Sequence, residues 1–143
     1  MHEVFLKKAI DIAYKGKYLT KPNPMVGCVI VKDNKVIADG YHMKYGSNHA
    51  EINALENLNK NNDISEKELR QLTLYCTLEP CCHHGKTGPC TDAIIKSGIK
   101  KVVIGIKDPN PKVSGSGIQQ LEDNGIEVLS GFFEEELLSL IHI

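Results

Sequence analysis

Two cysteines and one histidine have the spacing and surroundings of a metal site. Cys81 follows Pro80, Cys90 follows Pro89, and His49 lies upstream at the start of a helical pattern. Thiolate sulfur and imidazole nitrogen are ligands that zinc prefers. Three protein ligands leave the fourth tetrahedral position open to water, which is typical of a catalytic rather than a structural zinc. The sequence therefore predicts a catalytic zinc site at His49, Cys81 and Cys90.

Glu51, two residues after His49, is the candidate for proton transfer at this site. Residues two apart on a helix point to different sides, so Glu51 is not expected to bind the metal together with His49. A carboxylate nearby can take a proton from zinc-bound water, whose pKa falls to about 7, and pass it to a departing amine. His-x-Glu followed by Pro-Cys is the signature of zinc deaminases, in which the glutamate is not a ligand. The predicted chemistry is hydrolytic deamination with Glu51 as the catalytic residue.

Neither half of this pattern is sufficient alone. An isolated His-x-Glu is common on protein surfaces, and cysteines nine residues apart are a weaker signal than C-x-x-C. The order of the parts favours the site: His-Ala-Glu at a helix entrance, then a strand, then Pro-Cys, then Pro-Cys opening another helix. The alternative outside enzymes is a non-catalytic zinc-binding scaffold, which would not need Glu51.

The remaining cysteines and histidines have simpler explanations. Cys28 and Cys76 lie in short apolar stretches and are expected to be small core residues. Cys82 is expected to pack beside the site, since its neighbour keeps the position after proline. Two of the other histidines are candidates for substrate contact, and three are expected to be solvated. The candidates are His42 and His83, and the solvated ones are His2, His84 and His142.

Composition narrows the class of protein. The 143 residues are the size of one domain, and 17 Lys and Arg against 18 Asp and Glu give a net charge of -1. No global basic field would recruit nucleic acid or an anionic membrane. The apolar stretches are too short to span a bilayer, and the N-terminus predicts an amphipathic helix rather than a secretion signal. A cytoplasmic location is expected, where reducing conditions disfavour structural disulfides. The five cysteines, an odd number, therefore favour metal binding or catalysis.

Helical and strand patterns alternate along the chain. Apolar periodicity predicts helices from His2 to Lys15, from His49 onward and over Gly117–Asn124. A further helix is predicted with Pro89 at its first position, Gly88 as its cap and Gly98 as its end. Strands are predicted at Met25–Val31, Val36–Tyr41, Leu72–Leu78, Lys101–Ile106 and Ile126–Leu129. The polar tract Asn57–Arg70 is predicted to be a mobile loop. Such alternation implies an α/β fold with a sheet between helical layers.

Four segments resemble the deaminase domain of the riboflavin-biosynthesis deaminase/reductase family. They read KPNPMVGCVIV, then GYH followed by HAE, then TLEPCCHHGKTGPCTDAII, then IGIKDPNP, and with their surroundings they cover nearly all of the chain. Other cytidine and adenosine deaminases close their cysteine pair with C-x-x-C. The longer spacing here, with His-His-Gly-Lys-Thr between the cysteines, is similar to this family in particular.

The resemblance implies a fold and a reaction. The fold is a three-layer α/β/α cytidine deaminase-like fold with a central mixed sheet of about five strands. The reaction is the zinc-dependent hydrolysis of 2,5-diamino-6-(phosphoribosylamino)pyrimidin-4-one to 5-amino-6-(phosphoribosylamino)uracil and ammonia in riboflavin biosynthesis. The alternative is a nucleoside or tRNA cytidine/adenosine deaminase, which the absence of a basic excess disfavours.

The resemblance also implies substrate contacts. Asn23, held between two prolines, is similar to the family residue that hydrogen-bonds the base. Lys86 lies in a Gly-flanked stretch and suits the substrate phosphate as a point charge. The remaining candidates for the base and ribose-phosphate pocket are His42, Ala50, His83 and Asn110. The resemblance further suggests a homo-oligomer.

The sequence departs from the family pattern in two places. Gly88 stands where the family has a proline, which loosens the local backbone but removes no ligand. The family continues into a reductase domain, whereas this sequence ends at Ile143. We therefore expect residues 1–143 to be a zinc-dependent deaminase domain without reductase activity.

Overall fold

A mixed sheet of five strands organises the part of the chain that the computed structural model describes, residues 2–16, 25–43, 49–61, 64–82, 89–108, 111 and 114–133. The strands are β1 (Gly27–Lys32), β2 (Lys35–Tyr41), β3 (Thr73–Leu78), β4 (Lys101–Ile106) and β5 (Glu127–Leu129). Their order in the sheet is β2-β1-β3-β4-β5. β1 is antiparallel to β2 and β3, whereas β3, β4 and β5 are parallel.

Within the described ranges, five α-helices accompany the sheet: α1 (His2–Ala13), α2 (Ala50–Asn61), α3 (Glu66–Leu69), α4 (Cys90–Ser97) and α5 (Ser116–Asp123). Alternate residues of a strand point to opposite faces of a sheet. Val29 and Val31 accordingly pack with α1, whereas Cys28 and Ile30 belong to the core cluster that includes residues of α2, α4 and α5. The predicted α/β fold and its three layers are confirmed. No helix of the described residues has the length and apolarity needed to cross a membrane.

The strands occur where apolar runs predicted them, with ends that differ by at most two residues. A hairpin joins β1 and β2 through Asp33 and Asn34, which have φ values of 50° and 64°. Positive φ at both central residues is the geometry of a two-residue turn that matches the twist of its strands. Gly98 ends α4 in a left-handed conformation, as predicted.

The prediction of a loop over Asn57–Arg70 is wrong. α2 continues to Asn61, because Leu58 is buried and the Asn57 amide donates to the Asp39 carbonyl at 2.7 Å. Tertiary contacts therefore override the weak helix propensity of the asparagines. Residues 62 and 63 lie outside the described residues.

The helix α3 lies within the same tract. Ser65 caps it, with the Oγ atom 3.2 Å from the Glu68 amide nitrogen that donates to it. The Glu68 carboxylate also pairs with Lys32 at the end of β1. One turn of helix thus forms where a loop was predicted, because a cap and a side-chain contact to the sheet both stabilise it.

His2 is not solvated as predicted. It is half-buried, and its Nδ1 atom lies 2.7 Å from the Tyr75 hydroxyl. The ring of Phe132 contacts it edge-on, with centroids 6.3 Å apart. His2 therefore anchors the start of α1 to the sheet. His84 and His142, for which the same prediction was made, lie outside the described residues.

Candidate metal centre and active site

The three predicted ligands lie at the starts of two helices and the end of a strand. His49 immediately precedes α2, and its carbonyl accepts a hydrogen bond from the Asn53 amide at 3.1 Å. Cys81 follows β3 after two residues, and Cys90 is the first residue of α4. Unpaired N–H groups and the positive end of the helix dipole favour a thiolate at such a helix start.

The start of α4 is bound directly to Cys81. The amide of Cys90 donates to the Cys81 sulfur at 3.5 Å, and the amide of Thr91 donates to the Cys81 carbonyl at 3.1 Å. Pro89 is the N-cap and makes no side-chain cap bond, so Cys81 satisfies N–H groups of the first turn. The helix starts one residue later than predicted, with Pro89 rather than Gly88 in the cap position.

The three side chains converge. The His49 Nδ1 atom is 3.3 Å from the Cys90 sulfur and 3.7 Å from the Cys81 sulfur, and all three ligand atoms lie within 4.8 Å of one another. A tetrahedral zinc site with usual bond lengths separates its ligand atoms by roughly 3.5–3.8 Å. The donors and their separations therefore fit a tetrahedral metal ion. Among the described residues, no other such group is found.

The side chains of Cys81, Cys90 and His49 differ in the direction of their pKa shifts. The pKa of Cys81 is lowered to about 4, chiefly because its sulfur accepts from the Cys90 thiol, and the His49 ring is a second donor. The pKa of Cys90 is raised by the same shared proton and further by burial. The hydrogen bond to Cys81 raises the pKa of His49. A metal ion that binds these atoms must displace protons from Cys90 and His49.

Glu51 lies in the first turn of α2 and is almost completely buried, with 3% of its surface exposed. Burial raises its pKa, and the charge of His49 opposes that shift. The Cys90 thiol is a hydrogen-bonding partner of its side chain. Glu51 is therefore beside the group of candidate ligands without being a member of it. A buried carboxyl with a raised pKa suits proton transfer near neutral pH.

The substrate-contact candidates are only partly described. His42 is buried, and its ring lies 5.4 Å from the ring of His49 in an edge-on arrangement. Its backbone amide donates to the Val26 carbonyl at 3.1 Å, which fixes the chain beyond β2 beside β1. Ala50 is completely buried between His49 and Glu51. The other four candidates lie outside the described residues: Asn23, His83, Lys86 and Asn110.

Two further cysteines form a pair behind the site. Cys28 and Cys76 are directly opposite on β1 and β3, fully buried, with sulfur atoms 2.8 Å apart. Burial raises the pKa of both thiols, which is expected of unreactive core cysteines. The prediction that they are core residues is confirmed. Cys82 is half-buried and is not a member of the group of candidate ligands.

Glu79 is a residue of this region to which the sequence analysis gave no role. It is buried between β3 and Pro80, and its carboxylate accepts four backbone hydrogen bonds from residues 108 to 118. The sequence does contain a signal for this role. Glu79 lies between an apolar strand and a Pro-Cys pair, and a carboxylate that is buried at such a position requires hydrogen-bond partners. The partners themselves are distant in sequence and carry no side-chain motif.

The described residues combine a mixed sheet flanked by helices, a His/Cys/Cys group that could hold a metal ion, and a buried glutamate beside it, which is the arrangement of zinc-binding deaminases. Residues 1–106 match the family model of the cytidine and deoxycytidylate deaminase zinc-binding region, and the chain belongs to this family.

Relatives of known name are similar to the chain over nearly its whole length. A diaminohydroxyphosphoribosylamino-pyrimidine deaminase of Buchnera aphidicola from Schizaphis graminum is 49% identical over 132 residues, which are 92% of this chain and 85% of that protein. The riboflavin biosynthesis protein RibD of Escherichia coli is 42% identical over 94% of this chain and 35% of its own length. The chain thus spans about a third of the RibD relatives.

Solved structures show the same fold. Acinetobacter baumannii RibD superposes with a TM-score of 0.89 at 45% identity, over 99% of this chain and 38% of that one. The dCMP deaminase of cyanophage S-TIM5 in apo form superposes with a TM-score of 0.68 at 26% identity, over 90% of this chain and 95% of that one. The predicted cytidine deaminase-like fold and the family resemblance are confirmed.

The candidate metal site leads to a prediction that distinguishes Cys81 and Cys90 from Cys82. Cys81→Ser and Cys90→Ser should each lower zinc affinity by about tenfold or more, because each removes a thiolate from a three-residue site. Cys82→Ser is the matched control and should bind zinc as the wild-type chain does. Metal content after dialysis, measured by elemental analysis, checks both. Loss of zinc on replacing Cys82 with retention on replacing Cys81 would contradict the assignment.

Proposed function

We propose that residues 1–143 form a zinc-dependent deaminase domain that hydrolyses 2,5-diamino-6-(phosphoribosylamino)pyrimidin-4-one to 5-amino-6-(phosphoribosylamino)uracil and ammonia. The observation that carries the reaction class is the buried carboxyl of Glu51 beside His49, Cys81 and Cys90. The choice of substrate is supported by two Buchnera relatives of similar length, both named diaminohydroxyphosphoribosylamino-pyrimidine deaminase, at 49% and 48% identity.

We assign the metal to His49, Cys81 and Cys90. The proposed metal is zinc, since two thiolates and one imidazole are a donor set that zinc prefers and the matching family model describes a zinc-binding region. Zinc, when bound there, supplies Lewis-acid activation of the attacking water. The three residues hold the reacting centre at the carboxyl end of β3, where helix starts provide N–H groups and a positive field.

Glu51 acts as the proton carrier. Its carboxylate takes a proton from the attacking water and delivers it to a ring nitrogen of the pyrimidine. It then carries the remaining proton of the newly added hydroxyl to the amino group, which leaves as ammonia while the carbonyl forms. Burial favours this role in two ways. It raises the pKa of the carboxyl above its usual value, which makes the side chain a better proton acceptor, and it excludes bulk water from the transfer.

The proposed substrate contacts complete the assignment. Asn23 binds the base, Lys86 binds the phosphate as a point charge, and Ala50 contributes to the base pocket between two functional neighbours. His42, His83 and Asn110 line the base and ribose-phosphate pocket. A phosphorylated small molecule as partner, rather than nucleic acid, is supported by the net charge of -1. A reducing cytoplasm suits two thiolate ligands, and homo-oligomer formation stays a prediction from the resemblance.

A substrate panel tests the function. The purified, zinc-loaded chain is incubated separately with the phosphoribosylamino pyrimidine, with cytidine, with dCMP and with tRNA, and released ammonia is measured. We expect turnover of the first compound and at least about 100-fold lower kcat/KM for the others, because each of them carries a different base or lacks the ribose phosphate. Turnover of cytidine, dCMP or tRNA alone would replace the proposed substrate with that alternative.

Glu51→Gln separates a catalytic site from a zinc-binding scaffold. The amide fills the same space but cannot carry a proton, so kcat should fall by about 100-fold or more while zinc content is unchanged. Glu56→Gln, on an exposed position of the same helix, is the control and should retain activity. Full activity of Glu51→Gln would show that Glu51 is not the catalytic residue.

Lys86→Ala tests the phosphate contact. Removing a single positive charge should raise KM for the phosphorylated substrate by about tenfold, because a charge-assisted hydrogen bond is lost. KM for the dephosphorylated analogue should change by less than about twofold. Equal losses with both compounds would refute the role of Lys86.

A further inference from the structure

The helix α5 supplies no candidate ligand, yet it is bound to both segments that carry the thiols. On one side it contacts the stretch from Glu79 to Pro80, which leads into Cys81. On the other side it contacts the first turn of α4, which carries Cys90. The position of α5 therefore bears on the separation of the two sulfur atoms.

Glu79 determines how α5 begins. Its Oε1 atom accepts from the amides of Asp108 and Gly115, both at 2.9 Å, and its Oε2 atom accepts from Gly117 at 2.8 Å and Ile118 at 3.1 Å. Gly115, the N-cap of α5, makes no side-chain cap bond. The carboxylate of Glu79, which directly follows β3, supplies that cap, and its negative charge is favourable at the positive end of the helix dipole.

The start of α5 is also in close contact with the carbonyl group of Pro80, the residue before Cys81. A β-carbon on Gly117 would stand 2.2 Å from the carbonyl oxygen of Pro80, a distance at which atoms overlap. Only glycine lets the helix backbone approach this closely. The first turn of α5 therefore supports the Pro80 carbonyl directly, while Glu79 holds that turn in place.

Gln120 makes the second connection, one turn further along α5. Its Oε1 atom accepts from the Thr91 hydroxyl at 2.8 Å, and its Nε2 atom donates to the Asp92 carboxylate at 3.2 Å. Thr91 is completely buried and directly follows Cys90. The helix α5 thus links the segment of one thiol to the segment of the other.

We propose that Glu79 is a positioning residue of the metal site, which acts by fixing α5 against both thiol-bearing segments and thereby sets the spacing of Cys81 and Cys90. This inference rests on the proposed metal at His49, Cys81 and Cys90. A pre-set spacing lowers the free-energy cost of ordering the ligands when the metal binds, and residues behind the ligands commonly change metal affinity by about 10- to 100-fold.

Glu79→Gln is the decisive variant, because it keeps the shape of the side chain. An amide has one acceptor oxygen, and its NH₂ group would face two backbone N–H donors, so two of the four bonds are lost in either orientation. Zinc affinity of the metal-free chain, measured by competition with a chromogenic chelator, should fall about tenfold. Gln119→Ala, on the exposed face of α5, is the matched control and should bind zinc as the wild-type chain does.

Two readouts separate positioning from general stability. In Glu79→Gln, hydrogen exchange should accelerate at the amides of Asp108, Gly115, Gly117 and Ile118. Zinc affinity is compared at a temperature at which circular dichroism shows both chains fully folded. A lower melting temperature with unchanged zinc affinity there would mean that Glu79 only stabilises the fold, and would overturn the proposal.

A second variant covers the case in which Glu79→Gln does not fold. Gln120→Ala leaves the cap intact but removes both bonds to α4, and it should also weaken zinc binding, by about threefold to tenfold. Unchanged affinity in this variant would overturn the proposal. If the wild-type chain itself binds no zinc, the proposed function fails together with this inference, whereas wild-type binding with unaffected variants refutes the inference alone.

Discussion

The junction between Cys81 and the first turn of α4 is the contact on which the geometry of the site depends. Two consecutive amides of the helix start donate to the sulfur and the carbonyl of Cys81. These bonds satisfy N–H groups that a helix start leaves without partners, so the helix gains a cap and the sulfur gains donors. The first residue of the same helix is Cys90. Capping the helix and bringing the two sulfur atoms together are therefore one event.

The sheet places this junction where chemistry can be done. β3 is antiparallel to β1 on one side and parallel to β4 on the other. The chain leaves the carboxyl end of β3 at Glu79, whose amide donates to the carbonyl of Ile106 at the end of β4. Ends of parallel strands meet at one edge of a sheet, which is the usual place for an active site in α/β folds. α2 packs against β1, β2 and α4, and its first-turn Glu51 lies beside Cys90.

Much of this arrangement could be predicted from the sequence, because the signals are local. β-branched runs predict the strands, and His-Ala-Glu with two Pro-Cys pairs predicts the ligands and Glu51. What could not be predicted depends on contacts between distant segments. The end of α2 is set by Asn57 bonding Asp39, His2 is set by Tyr75, and the role of Glu79 depends on amides 29 to 39 residues further along. Because every residue except proline has a backbone N–H group, the residue types do not indicate which of these groups will bond a distant carboxylate.

The sequence separation of the three ligand atoms has a consequence for folding. His49 is 32 residues from Cys81 and 41 from Cys90. An ion bound to all three would stabilise the folded chain, because the unfolded chain does not hold these atoms close enough together to bind it. A bound ion would thus link two parts of the domain: the hairpin with α2, and the parallel strands with α4. Binding of a metal ion would therefore make the stability of the folded chain depend on metal supply through the same three atoms.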